Sequence, residues 1–281
     1  MALSSSTYYS NSIVGQMMVG GDVNIYDTHA TPKYPVGQGF QRADGNIFRY
    51  CHVGTATNAG KLIGPTTASG GATYAAAVVV APASAVAVAA ESPILPGQVG
   101  SHFVEVTIAS IAANKYQGGY LITTRGTGVG DTYRIIGNTA TDTPATGNLR
   151  IQLNEAIKVA FVASTGLILV PSMFTDMAAT ATTATQATGV LMSTTTATNL
   201  WAWACTRGVT GCQEDATNTV VAGQQLMASR VTGGAYASLT VSTGTLLVAG
   251  AFSAPIIGYC ITQAAAGSAG NRQGVIYLEL E

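Results

Sequence analysis

Between residues 123 and 135 the sequence runs TTRGTGVGDTYRI, and Gly126, Gly128 and Gly130 alternate between Arg125 and Asp131. Glycine-rich loops beside a basic residue can cradle a phosphate. They do so where a strand feeds the loop and a helix leaves it, with the first N–H groups of the helix aimed at the anion. Here the residues that follow, DTYRII, have strand character. The spacing is GxGxG, whereas a dinucleotide fingerprint needs GxGxxG and a P-loop needs Gly-Lys-Ser/Thr. The run is therefore expected to be a hairpin tip, with glycine supplying the positive φ that tight turns require.

The other residue types that could do chemistry are scattered. His29, His52 and His102 fall at no metal-ligand spacing, and neither HExxH nor HxH occurs. No GxSxG elbow anchors a Ser–His–Asp arrangement. Asp131, Asp142, Glu155 and Asp176 fall on turns and strand ends, where aspartate caps the chain. Cys51, Cys205, Cys212 and Cys260 form no CxxC pair. Cys205 and Cys212 flank a possible turn at Gly208 and Gly211, so a disulfide there is conceivable. Free thiols are the favoured reading, since MALSSSTYYSNSIVGQ lacks the basic and apolar regions of an export signal. Trp201 and Trp203 in WAWACTRG could line a carbohydrate groove, but such a strand more often packs one face into a core. No catalytic, metal-binding or cofactor-binding residue is assigned, and no enzyme activity is expected.

The elements that carry these residues read as strands. The chain holds 37 Thr against 4 Lys, and charged residues make up only 9 %. Helix surfaces favour Lys, Glu, Gln and Arg, whereas Thr and Val suit strands. Net charge is −1, so no basic field exists to hold nucleic acid. The longest apolar run, YAAAVVVAPASAVAVAA, is broken by Pro82 and falls short of the ~20 apolar residues of a membrane helix. It reads as two strands bent at the proline. HFVEVTIASI sets Val104, Val106 and Ile108 on one face, and GGYLITTRG, DTYRIIGNT and GNLRIQLNE continue in the same style. Short strands at such regular spacing signal barrels or sandwiches. EAIKVAF could form one helical turn.

An all-β fold follows, with two small β-barrel or sandwich domains and an extended N-terminal arm. Residues 1–45 read as the arm, since they show little periodicity and few core-forming residues. Residues 46–75 read as strands and a linker, the strands joining the C-terminal barrel. Residues 76–177 form a β domain, inserted on this reading, and residues 178–281 form the C-terminal barrel. The Thr-rich stretch at 178–199 reads as an exposed edge or connecting loop. Tyr8, Tyr9, Tyr26 and Tyr34 on the arm are candidate interface residues, because tyrosine buries area while keeping a wet hydroxyl. Arg125 and Asp131 at the hairpin tip are candidates too.

Several segments, taken in order, resemble one family. They are DGNIFRYCHVGTATNAGKLI, ANKYQGGYLITTRGTGVGDTYRI, LWAWACTRG with VVAGQQLMAS, and IIGYCI with GVIYLEL. Together they are similar to capsid decoration (cement) proteins of tailed phages of aquatic bacteria, from about residue 37 to the end. Residues 1–36 and 178–199 lie outside the resemblance. It implies a β-rich virion protein on the outer capsid surface, often a homotrimer, that clamps neighbouring major capsid proteins and carries no cofactor. An arm that adds a strand to a neighbour's sheet edge would fit such a role. Two other readings stay open: another virion role, as tail tube or head fibre, and a surface carbohydrate-binding module using Trp201, Trp203 or exposed tyrosines.

Overall fold

The computed structural model describes residues 18–19, 23–65, 75–79, 97–109, 111–141, 146–162, 165–180, 186–215, 220–229, 234–238, 256–262 and 273–280. Tyr8, Tyr9 and the second of the two strands expected in YAAAVVVAPASAVAVAA lie outside them. The described residues are all β, without a helix. The expected helical turn in EAIKVAF is a non-helical connection. The chain divides into two compact units, Met1–Gly71 with Met173–Glu281, and Ala72–Ser172.

The Ala72–Ser172 unit is a closed antiparallel barrel. Its strands are β5 (Ala75–Val79), β6 (Phe103–Ala109), β7 (Tyr120–Arg125), β8 (Thr132–Asn138), β9 (Thr146–Leu153) and β10 (Gly166–Val170), in the order β10-β5-β6-β9-β8-β7. Period-two alternation builds it. Val104, Val106 and Ile108 on β6 turn inwards to meet Leu149 and Ile151 on β9 and Leu167 and Leu169 on β10. Closure leaves no free strand edge. Asn138 anchors the 112–116 turn, accepting from the Tyr116 N–H at 2.8 Å and donating to the Ala112 carbonyl at 3.1 Å.

The other unit carries β1 (Met18–Val19), β2 (Gly39–Gln41), β3 (Ile47–Val53), β4 (Leu62–Pro65), β11 (Met177–Ala179), β12 (Gly189–Leu191), β13 (Leu200–Gln213), β14 (Gln225–Ala228), β15 (Tyr236–Ser238), β16 (Ile256–Thr262) and β17 (Gln273–Glu279). They form one eleven-stranded sheet. Within it β3, β11, β4, β12 and β13 close on themselves, because β3 pairs with β13 as well as with β11. Cys51, Val53, Ile63, Met177, Leu191, Ala202 and Ala204 form one core cluster of these strands. The first half of β13 is buried on both faces: Ala202 and Ala204 enter that cluster, and Trp203 and Cys205 enter a second one with Phe40, Phe48 and Tyr50.

Two expectations are corrected here. Residues 23–45 are not a free arm: Ile25, Val36 and Phe40 are buried, and Ile25 and Phe40 belong to the core cluster around Trp203. His29 exchanges backbone hydrogen bonds with Trp201, at 2.9 and 2.8 Å. The segment looks unpatterned because single anchors between turns, with no periodic stripe, fix it to the sheet. The Thr-rich stretch is only in part a loop: it contributes β12 and, through Ala178 and Ala179, part of β11, while residues 192–199 form the expected connection. Thr180, Thr188 and Thr195 are buried. Thr188 Oγ1 donates to the Ile63 carbonyl at 3.2 Å and Thr195 Oγ1 to the Thr57 carbonyl at 3.2 Å. A satisfied hydroxyl removes most of the cost of burying it, so threonine serves there as a β-branched core residue.

Candidate interaction surface

The glycine run forms the tip of the β7–β8 hairpin. Leu121 pairs with Tyr133 and Ile122 with Thr132. Gly126, Gly128 and Gly130 take φ values of 85°, 73° and 93°, a region closed to most other residues. The Thr123 N–H donates to the Asp131 carbonyl at 3.0 Å, Gly130 N–H to Thr123 at 2.9 Å and Asp131 N–H to Gly128 at 2.9 Å. These amides are spent on closing the turn, so they do not converge on an anion.

Side chains fix the tip to the segment before β10. Thr127 Oγ1 donates to the Ala160 carbonyl at 2.9 Å and lies 3.2 Å from Thr165 Oγ1. The Val162 N–H donates in turn to Thr165 Oγ1 at 2.9 Å. Three valines stand exposed on this frame: Val129 at 62 %, Val159 at 42 % and Val162 at 44 %. Arg125 is exposed beside them, and Lys158 and Glu155 lie 3.7 Å apart at the rim. Asp131 points inwards instead, accepting from the Tyr133 hydroxyl at 3.1 Å. The tip thus presents exposed valines on a closed barrel, with Arg125, Lys158 and Glu155 close to them in sequence. The sequence reading singled out Arg125 and Asp131 but missed the valines. The signal was available for Val129, an apolar residue set between two turn glycines.

The tyrosines separate. Tyr26 is 59 % exposed on a turn where Asn24 Nδ2 donates to Asp27 Oδ1 at 2.7 Å. It lines an open groove of about 390 Å³ with Val23, Ile25, Phe40 and Arg42. Tyr34 faces the core, its ring 5.2 Å from Tyr50 and 5.2 Å from Trp203. Trp203 is fully buried, and Trp201 stacks on Tyr50 at 5.6 Å and 15°. Trp203 is thus core packing, while Trp201 is half-buried against Tyr50.

Among the described residues no group of three or more His, Cys, Asp or Glu is placed to hold a metal ion. His29 Nδ1 lies 2.9 Å from the Tyr50 hydroxyl, and burial, aided by Lys33, lowers its pKa against the pull of Asp27. His52 Nδ1 lies 3.2 Å from Asp176 Oδ1. His102 Nδ1 lies 3.4 Å from the Leu153 carbonyl. Two carboxylates the sequence reading did not single out, Glu214 and Asp215, are buried. Glu214 Oε1 accepts from the Val220 N–H at 3.0 Å, and the Ser229 hydroxyl donates to Asp215.

All four cysteines are buried and unbonded. Cys205 and Cys212 lie on the single strand β13, with no turn between them to bring them together. Burial pushes the Cys51 thiol up to about 12 and raises those of Cys212 and Cys260. Thiolate is the reactive form, so a thiol reagent at neutral pH should label no cysteine rapidly in the native chain. In denaturant it should label all four, with rates higher by roughly a hundredfold or more. Rapid native labelling of even one would contradict this burial.

Comparison of the chain with protein-family models, curated proteins and solved structures finds no match.

Proposed function

We propose that this chain is a virion structural protein of the decoration type. It binds the outer surface of a phage capsid, clamps neighbouring major capsid proteins and stabilises the head. The observation that carries the reading is the hairpin knuckle of Val129, Val159 and Val162, exposed on a barrel whose backbone is closed. Interface cores are apolar and low in charge, with polar rims, and Lys158, Glu155 and Arg125 supply such a rim here. Exposed apolar patches on rigid scaffolds mark interaction sites. The low charge of the whole chain and the segment-by-segment resemblance to cement proteins support the same reading.

The test is co-sedimentation of the purified chain with expanded, emptied heads of its phage. The chain is expected to pellet with heads and to raise their melting temperature. Val129→Asp should weaken binding roughly tenfold, as for a central interface residue, and leave the chain's own thermal profile unchanged. A chain that stays in the supernatant at saturating head concentration would remove the proposal.

A further inference from the structure

The outward face of the C-terminal strands offers a second surface, independent of the hairpin knuckle. On β13, β16 and β17 alternate residues enter the core, among them Cys212, Cys260, Ile276 and Leu278. Those between them face out: Val209, Tyr259 and Val275 are exposed and Tyr277 is half-buried. The β13–β17 register sets Arg207 beside Glu279, Val209 beside Tyr277 and Gly211 beside Val275. Arg207, Gly211 and Glu279 are exposed too. Tyr277 pairs with Tyr259 across the next ladder, and their rings stack at 5.1 Å and 15°.

We infer that this face is a self-complementary interface for a second copy of the chain, about a two-fold axis running along the strands between β13 and β17. That rotation lays β13 of each copy over β17 of the other. Arg207 then faces Glu279 of the partner subunit, Val209 faces Tyr277 of the partner subunit, and Gly211 faces Val275 of the partner subunit. Each row matches: opposite charges, an aliphatic side chain on an aromatic one, and a hollow against a branched side chain. Isologous contacts demand this reciprocity. Sheets packed face to face with aligned strands interdigitate side chains in this way. The charged row fixes the register, because a shift along the strands would set Arg207 against apolar side chains and leave the charge unpaired. The contact does not rest on capsid attachment, and it gives a dimer where the resemblance implies a trimer.

Sedimentation equilibrium of the full chain, over roughly 1–100 µM, tests this. The expected mass is that of two chains. Arg207→Glu and Glu279→Arg should each weaken the dimer at least roughly tenfold, since each variant sets like charges together twice. An equimolar mixture of the two should recover the dimer, because every mixed pair restores both contacts. Repulsion within a single chain cannot produce that rescue. Val209→Lys, a change on the solvent face, supplies an independent loss. Far-UV circular dichroism and tryptophan fluorescence confirm that each variant is folded. A mass of one chain throughout the range or of three chains, single variants that associate like the parent, or a mixture that fails to recover would each overturn the inference.

Discussion

Removing residues 1–45 is expected to unfold the sheet unit, whereas removing residues 1–17 leaves it folded. The longer deletion takes away β1 and β2 and the buried side chains of Ile25, Val36 and Phe40. Burying an aliphatic or phenyl side chain contributes about 1.5–3 kcal/mol, so the three together supply about 5–9 kcal/mol. That is comparable with the whole stability of a domain, ~5–15 kcal/mol. The deletion also removes Tyr34 and Phe40 from around Trp203, and the His29 bridge to Trp201. The shorter deletion removes no strand among the described residues. Both tryptophans of the chain, Trp201 and Trp203, belong to this unit. Their fluorescence therefore reports its folding without interference from the barrel. The 1–45 deletion should give a red-shifted, unfolded-like spectrum without denaturant, and the 1–17 deletion a native spectrum and an unchanged urea midpoint. A native spectrum for the longer deletion would return residues 23–45 to the status of a free arm.

That contrast marks where the sequence was legible. The alternation of Val104, Val106 and Ile108 on β6 and the glycine tip of the β7–β8 hairpin are local patterns, and local physics reads them. Ile25, Val36 and Phe40 carry no periodicity, because turns separate them and Ile25 and Phe40 pack in a cluster that draws on β13 more than 150 residues later. The same holds for Thr180, Thr188 and Thr195. Only distant partners make them core residues: the Ile63 and Thr57 carbonyls for the Thr188 and Thr195 hydroxyls, and the Gly234 N–H for Thr180 Oγ1. Tyr34 and Tyr26 look alike in sequence, yet one packs on Trp203 and the other stands in solvent. Side-chain direction in a non-repetitive segment depends on turns such as that of Asn24 and Asp27, which a periodicity argument does not resolve. The surface was the least legible part. Val129 is tied to the segment that carries Val159 and Val162 only because Thr127 joins the hairpin to it, more than 30 residues later. Val209 and Tyr277 meet only through the pairing of β13 with β17.

Trp203→Ala is expected to carry the largest single-residue cost, about 3–5 kcal/mol, as for other fully buried large aromatics. Trp203 pairs in register with Tyr50 and has ring contacts with Tyr34, Tyr50 and Phe40 at centroid distances of 5.2, 5.1 and 6.0 Å. Its deletion opens a cavity where the N-terminal segment, β3 and β13 meet, and close packing lets that site collapse only in part. Among the described residues the indole Nε1 has no hydrogen-bond partner, and an unsatisfied buried donor costs about 1–3 kcal/mol. Trp203→Phe removes that donor and keeps most of the ring, so it should cost much less than Trp203→Ala. Trp201→Ala should also cost less, because that ring is only half-buried and stacks chiefly on Tyr50. Urea unfolding followed by far-UV circular dichroism measures all three variants without relying on the deleted fluorophore. Equal costs for Trp203→Phe and Trp203→Ala would mean that the indole N–H is satisfied and contributes to the core. A Trp203→Ala variant of unchanged stability would mean that Trp203 stands on a surface, and would reopen it as a ligand platform.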